Sequence, residues 1–117
     1  MLTQEILENS VKILDNKKAM DIKALKITDL TSVADYFVIV NGTSTTHIKA
    51  LAEELEDQLA ALGQEPKHIE GRATGWILLD YGNVVVHIFT PDQREVFNLE
   101  KLWQDAEEVD ISAWVTE

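Results

Sequence analysis

The sequence predicts an α/β (α+β) fold in which a mixed five-stranded sheet is flanked by helices. The first observation is the segment Trp76 to Phe89, which reads WILLDYGNVVVHIF. Two apolar, β-prone runs meet at a polar turn, where Gly82 and Asn83 tolerate the positive φ of a tight hairpin. Because both runs are almost continuously apolar, we expect both strands to be covered on both faces.

The second observation is the helical spacing of apolar residues in two other segments. One runs from Thr3 to about Asn16 and the other from Thr43 to Leu62, and each places its apolar residues on one face. We expect Thr3 to cap the first helix and Gly63 to end the second. Pro91 opens a third helix at its first turn, and Leu99 to Ala106 adds one or two further turns.

The remaining apolar runs supply the other strands. Ala19 to Ile27 predicts a first strand at a wet or edge position, Tyr36 to Val40 a buried central strand, and Lys67 to Glu70 a short third strand. The element order α-β-β-α-β-β-β-α predicts a mixed sheet with helices packed on it. We assign residues 1–108 to a single domain and 109–117 to a C-terminal tail that folds back or pairs with a second copy.

The amino-acid composition limits the kinds of partner that the chain can bind. The chain has 10 Lys and Arg against 21 Asp and Glu, a formal net charge of −11. This charge disfavours contact with a phosphate backbone, so we expect a basic protein partner, little direct RNA contact and no DNA. The absence of Cys removes disulfides and thiolate sites. Without a membrane-length apolar run or signal-peptide pattern, we expect a soluble, cytoplasmic protein of bacterial type.

Motifs for catalysis and cofactor binding are missing from the sequence. The turn Gly42-Thr43-Ser44 lacks the spacing of a P-loop or GxGxxG motif, so capping of the next helix is favoured over anion binding. His47, His68 and His87 lack a metal-ligand spacing, and we expect His87 to be hydrogen-bonded within the sheet. No G-x-S-x-G elbow is present. The sequence therefore predicts no catalytic, cofactor-binding or metal-binding residues.

The candidate partner-binding residues are Glu70, Trp76, Asp80, Tyr81 and Asn83. If the third strand pairs with the hairpin, these groups share one edge or end of the sheet. An aromatic anchor beside carboxylates suits recognition of Lys and Arg on a protein. The alternative is that Trp76 fills the core and Asp80 satisfies its own turn.

Several motifs follow one another with family-like order and spacing between about Leu2 and Ile111. They are Asp35-Tyr36-Phe37-Val38-Ile39-Val40, Gly42-Thr43-Ser44, Glu70-Gly71, Val85-Val86-His87, Arg94-Glu95 and Leu99-Glu100-Lys101-Leu102-Trp103. Together with the hairpin, they resemble the ribosomal silencing factor family, also called Iojap or RsfS.

This resemblance implies a nucleotidyltransferase-like fold without the catalytic carboxylates, and so a protein that is not an enzyme. It implies a translational repressor that binds the fourteenth protein of the large ribosomal subunit and blocks joining of the small subunit when nutrients are short. The alternative is a nucleotidyltransferase-like enzyme or nucleotide-binding protein, and a homodimer stays open. Lys26 and Asn83 stand where many members carry acids, which shifts the expected contacts toward Trp76, Asp80 and Tyr81.

Overall fold

The hairpin predicted between Trp76 and Phe89 lies within a six-stranded sheet. In the computed structural model, which describes residues 1–71 and 75–116, the helices are α1 (Thr3–Asn16), α2 (Thr45–Ala61), α3 (Pro91–Phe97) and α4 (Leu99–Leu102). The strands are β1 (Met20–Lys26), β2 (Tyr36–Asn41), β3 (His68–Glu70), β4 (Trp76–Asp80), β5 (Val84–Phe89) and β6 (Glu107–Glu108). The predicted elements are all present, and β6 is an addition.

The strand order is β3-β4-β5-β2-β1-β6, with β2 and β5 parallel and the other described pairs antiparallel. The prediction of a mixed sheet is therefore confirmed, with six strands instead of five. Strand β6 was not predicted because it consists of two glutamates, which have low β propensity. Its Glu107 lies opposite Lys26, so β6 covers this end of β1 and occupies the sheet edge beyond it.

The two faces of the sheet are covered to different extents. Helices α1 and α2 pack on one face with a large apolar core, while Leu99 and Trp103 help to cover the other face over β5, β2 and β1. Strand β5 is buried along its whole length, as predicted. The same prediction was wrong for β4, where buried and half-buried residues alternate. The second layer leaves the β3–β4 end of its face open, so β4 has one covered and one half-open side.

The two long helices begin differently. Ser44 caps α2, since its Oγ accepts a hydrogen bond from the His47 backbone N–H at 3.1 Å. The cap predicted at Thr3 was wrong: Thr3 is already helical, and the Glu5 carboxylate accepts the backbone N–H of Leu2 at 2.8 Å. Among the helices described, none combines the length and hydrophobicity needed to cross a membrane.

A buried arginine ties α3 and α4 to the sheet. Arg94, 8% exposed, donates through Nη1 to the Asp21 carbonyl at 2.6 Å and to Asn41 Oδ1 at 2.7 Å. Its Nε and Nη2 donate to the two carboxylate oxygens of Glu100 at 3.1 and 3.2 Å. Between these partners Asn98 adopts the left-handed conformation (φ 47°, ψ 55°), which ends α3 and redirects the chain into α4.

The described part of the C-terminal tail folds back on the body of the same chain. The backbone N–H of Val109 donates to the Ala24 carbonyl at 2.8 Å, and Ile111 and Trp114 pack on the core formed with α1 and α2. Thr116 donates through its backbone N–H and its hydroxyl to the Asp15 carboxylate, both at 2.9 Å. The described tail residues therefore fold back on their own chain, which is one of the two arrangements that the sequence left open.

Candidate protein-binding surface

The half-open side of β4 continues onto the edge strand β3. Trp76, Leu78 and Asp80 share this side because successive residues of a strand point to opposite faces. In the β3–β4 pairing, His68 lies opposite Asp80 and Glu70 opposite Leu78, so both join the same face. We call these five residues, His68, Glu70, Trp76, Leu78 and Asp80, the open strip.

Trp76 is the aromatic anchor of the open strip. Its half-buried indole stacks on Phe89 with ring centroids 5.2 Å apart and lies 4.5 Å from the ring of Phe97. The indole Nε1–H donates to Nδ1 of His87 at 3.2 Å. The ring is therefore supported from beneath by buried side chains and keeps part of its surface in solvent. Trp76 therefore does not fill the core, as the alternative would require. The side chain lies at the edge of the core and is partly accessible to solvent.

The two carboxylates of the open strip flank an exposed histidine. His68 Nε2 lies 2.9 Å from Glu70 Oε2, and His68 Nδ1 lies 3.6 Å from Asp80 Oδ2. Because the His68 and Glu70 side chains are 51% and 67% exposed, these contacts contribute little to stability. Replacing these contacts with contacts to Lys or Arg of another protein therefore costs little free energy. Asp80 also satisfies its own turn, since its Oδ1 accepts the Gly82 N–H at 2.7 Å.

A small depression lies beside the anchor. It has a volume of about 180 Å³ and is lined by Glu70, Gly71, Trp76 and Leu78. Sites for cofactors and other small molecules usually measure roughly 300–1,000 Å³. The depression therefore matches a single side chain of a protein better than it matches a cofactor, and a long cationic side chain would place its stem on Trp76 and its charge near Glu70.

The structure corrects the assignment of Tyr81. This residue shares its face with Ile77 and Leu79, is 4% exposed and packs in the core beneath α1 and α2. Burial, followed by the nearby Glu56 carboxylate, raises the pKa of its phenol well above the ordinary value. Tyr81 is therefore not presented to a partner, because the strand alternation turns it away from the open strip.

Asn83 lies beyond the end of the open strip, in the exposed hairpin turn. Its side-chain N–H donates to Thr3 Oγ1 at 3.0 Å, and its backbone carbonyl accepts the backbone N–H groups of Asp35 and Tyr36. Of the two turn residues expected to tolerate positive φ, only Gly82 uses it, at 90°. The structure thus brings Glu70, Trp76 and Asp80 onto one face and leaves Asn83 holding the turn against α1.

Three residues on or beside the open strip were not among the predicted contacts. Leu78 was hidden within a continuous apolar run, and His68 was considered only as a metal ligand. Phe97 extends the apolar surface beside Trp76 and is 45% exposed. No local signal marked Phe97, because an aromatic residue at the end of a short helix is as compatible with a buried position as with an exposed one.

The loop considered as an anion site is occupied by its own side chains. The Thr43 N–H donates to His47 Nδ1 at 2.9 Å, and the Ser44 hydroxyl takes the His47 N–H, which confirms the capping prediction. A Cβ at Gly42 would meet His47 Nδ1 at 2.9 Å. In residues 1–71 and 75–116, no group of three or more His, Cys, Asp or Glu has a metal-binding arrangement. The nucleotide-binding alternative gains no support from this geometry.

Comparisons with known proteins agree on one family. The family model described as "Ribosomal silencing factor during starvation" matches residues 2–117. The ribosomal silencing factor of Bacillus subtilis is 42% identical over 112 residues, covering 95% of each chain, and that of Halalkalibacterium halodurans is 39% identical over 117 residues, covering 99% of this chain and 100% of its own. A crystal structure of a Chromobacterium violaceum protein superimposes with a TM-score of 0.86 at 31% identity, covering 96% of this chain and 93% of the other.

Proposed function

Because this chain belongs to the ribosomal silencing factor family, we propose that it represses translation by binding the large ribosomal subunit. In this proposal the open strip contacts the basic fourteenth protein of that subunit, on the face that meets the small subunit. Bound there, the chain blocks subunit joining by steric exclusion, in the cytoplasm and when nutrients are short. No catalytic step is required.

The observation that carries the proposal is the composition of the open strip. Trp76 and Leu78 offer an apolar centre, and Glu70 and Asp80 place two carboxylates at its rim. Aromatic anchors surrounded by polar groups are the usual energetic centres of protein interfaces. The exposed Glu70 carboxylate and the half-buried Asp80 carboxylate can form charge-assisted hydrogen bonds with Lys or Arg. The open strip therefore fits a protein surface that combines an apolar patch with cationic side chains.

The net charge restricts where on a ribosome such a chain can bind. At −11, the chain is repelled by the phosphates of ribosomal RNA. Stable binding then requires a local basic protein surface, which also fixes the orientation of the bound chain. An interface of roughly 1,600 Å² is the usual size for a specific complex. Since the open strip lies at the β3 end of the sheet, the body of the chain would project from the contact as a steric block.

Sedimentation of purified ribosomal subunits tests this proposal. The wild-type chain should reduce the fraction of joined ribosomes in a sucrose gradient. Glu70→Lys should need at least about tenfold more protein for the same effect, because it puts a cation against a cationic surface. Glu53→Lys on the exposed side of α2 changes the net charge equally and should act like wild type. A wild-type chain that leaves subunit joining unchanged would refute the proposal.

A further inference from the structure

His87 combines two features that need an explanation. It is buried on the face that carries the open strip, 4% exposed, in the middle of β5 and opposite Leu78. Its Nε2 has no hydrogen-bond partner within the described residues. A buried polar atom without a partner destabilises the folded state, because its lost hydrogen bonds to water are not replaced. An apolar residue at this position would avoid that cost, but it would also lack a hydrogen-bond acceptor.

The imidazole provides a hydrogen-bond acceptor beneath Trp76. Burial lowers the pKa of His87 to about 4, so the ring is neutral at physiological pH. Since Nδ1 accepts the indole N–H of Trp76 at 3.2 Å, the single ring proton lies on Nε2. The ring itself is held by Phe37, whose centroid lies 4.6 Å away in an edge-to-face arrangement. The acceptor atom is therefore fixed in position beneath the open strip.

We propose that His87 is a positioning residue of the open strip, which fixes the Trp76 indole and satisfies its N–H so that a partner can cover the ring. This inference rests on the function proposed above. An indole N–H that is covered by a partner without an acceptor would lose its hydrogen bonds to water. With His87 beneath it, the ring of Trp76 can be buried against an apolar surface at no such loss. The His87–Trp76 pair thus makes the anchor selective for an apolar contact and independent of any acceptor on the partner.

Two substitutions of His87 separate this role from simple packing. His87→Phe keeps an aromatic ring among Phe37 and Phe89 but removes the acceptor. His87→Asn removes the ring but can place an amide oxygen near the position of Nδ1. If His87 only filled space, His87→Phe would bind large subunits more tightly than His87→Asn. We expect the opposite order. Binding to purified large subunits should fall about 5- to 100-fold for His87→Phe and by a smaller factor for His87→Asn. This order should hold even if urea unfolding shows that His87→Phe is the more stable variant.

A double-mutant cycle with Trp76→Phe tests whether the Trp76–His87 hydrogen bond causes the loss of binding. In the Trp76→Phe background there is no indole N–H, so His87→Phe should bring little further loss of binding. An equal loss in both backgrounds would overturn the role of His87 while leaving the proposed function intact. If the wild-type chain itself does not bind large subunits, both proposals fail together.

The free protein supplies a readout that requires no ribosome. The chain has three tryptophans, so a ¹⁵N-correlated NMR spectrum should show three indole N–H signals, and Trp76→Phe identifies the one of interest. In His87→Phe that signal should shift upfield and exchange faster with solvent, while in His87→Asn it should stay close to its wild-type position. A Trp76 signal that is unchanged in His87→Phe would overturn the inference.

Discussion

Replacing Arg94 with Ala is expected to lower the free energy of unfolding by about 3 kcal/mol, the lower end of the cost of removing one partner from a buried ion pair. The lower end applies because the Glu100 side chain is 29% exposed and keeps Lys23 as a second partner at 3.7 Å. The substitution leaves the Glu100 carboxylate, Asn41 Oδ1 and the Asp21 carbonyl without their shared donor. In a chain of 117 residues this corresponds to a fall in Tm of roughly 10–20 °C. Urea and thermal unfolding followed by circular dichroism measure both quantities.

Lys101→Ala is the matched control for Arg94→Ala, since it removes an exposed cation from α4 and should change the stability by less than about 0.5 kcal/mol. If both variants unfold at the same urea concentration, Arg94 does not anchor the α3–α4 layer. The layer also carries Phe97 against Trp76, so we expect Arg94→Ala to weaken subunit binding through the displaced anchor.

Acidic pH should reduce the difference in unfolding free energy between wild type and Arg94→Ala. The pKa of Glu100 is lowered, chiefly by the hydrogen bonds from Arg94 and against the opposing effect of burial. Because the folded-state pKa lies below the unfolded-state value, the stabilisation is full above the ordinary glutamate pKa and is lost as the pH falls through the lowered one. The two urea midpoints should therefore converge at acidic pH, and a difference that grows in acid would contradict this account.

Leu78→Asp is expected to weaken binding to the large subunit by at least about 30-fold, equal to about 2 kcal/mol, the range of an interface hot spot. Leu78 is half-buried between Trp76 and the edge strand, at the apolar centre of the open strip. An aspartate there would be covered by the partner without a guaranteed cation, which adds the cost of burying a charge. Binding of labelled protein to purified large subunits measures the effect.

Leu62→Asp introduces the same side chain at an exposed leucine, 52% accessible, at the end of α2. It should leave binding within about twofold of wild type, because α2 lies on the opposite face of the sheet. Circular dichroism must show that both variants are folded. Should a folded Leu78→Asp bind as tightly as Leu62→Asp, the open strip would not be the contact surface.

Local sequence signals predicted most of the fold. Helix α1 has the predicted bounds, and α2 is shorter than predicted by two residues at its start and by one at its end. The hairpin and the short strand β3 also lie where predicted. These elements depend on periodicity, capping and turn chemistry, all of which act between near neighbours in the chain.

The face that stays open could not be predicted from local signals. Trp76 to Asp80 is as apolar as β5, yet one of its sides is half-open because the α3–α4 layer covers β5, β2 and β1 instead. Arg94 helps to hold that layer in position, and its partners Asp21 and Asn41 lie 73 and 53 positions away in the sequence. Hydrophobicity alone does not indicate contacts of such separation.

The buried position of Tyr81 follows from strand alternation. A residue that continues the alternation of Ile77 and Leu79 faces the same core, and strand periodicity extended by one residue into the turn would have placed it there. The same alternation unites Trp76, Leu78 and Asp80. The two-residue period of the strand therefore predicts both the buried position of Tyr81 and the shared face of Trp76, Leu78 and Asp80.

The most direct test of the central claim is hydroxyl-radical footprinting of the chain, free and saturated with large ribosomal subunits. We expect oxidation of Trp76, Leu78 and Phe97 to fall several-fold in the complex, while the exposed Leu2 and Leu62 are oxidised as in the free chain. Protection of Leu2 and Leu62, with Trp76, Leu78 and Phe97 oxidised at their free rates, would contradict the claim that the open strip binds the ribosome.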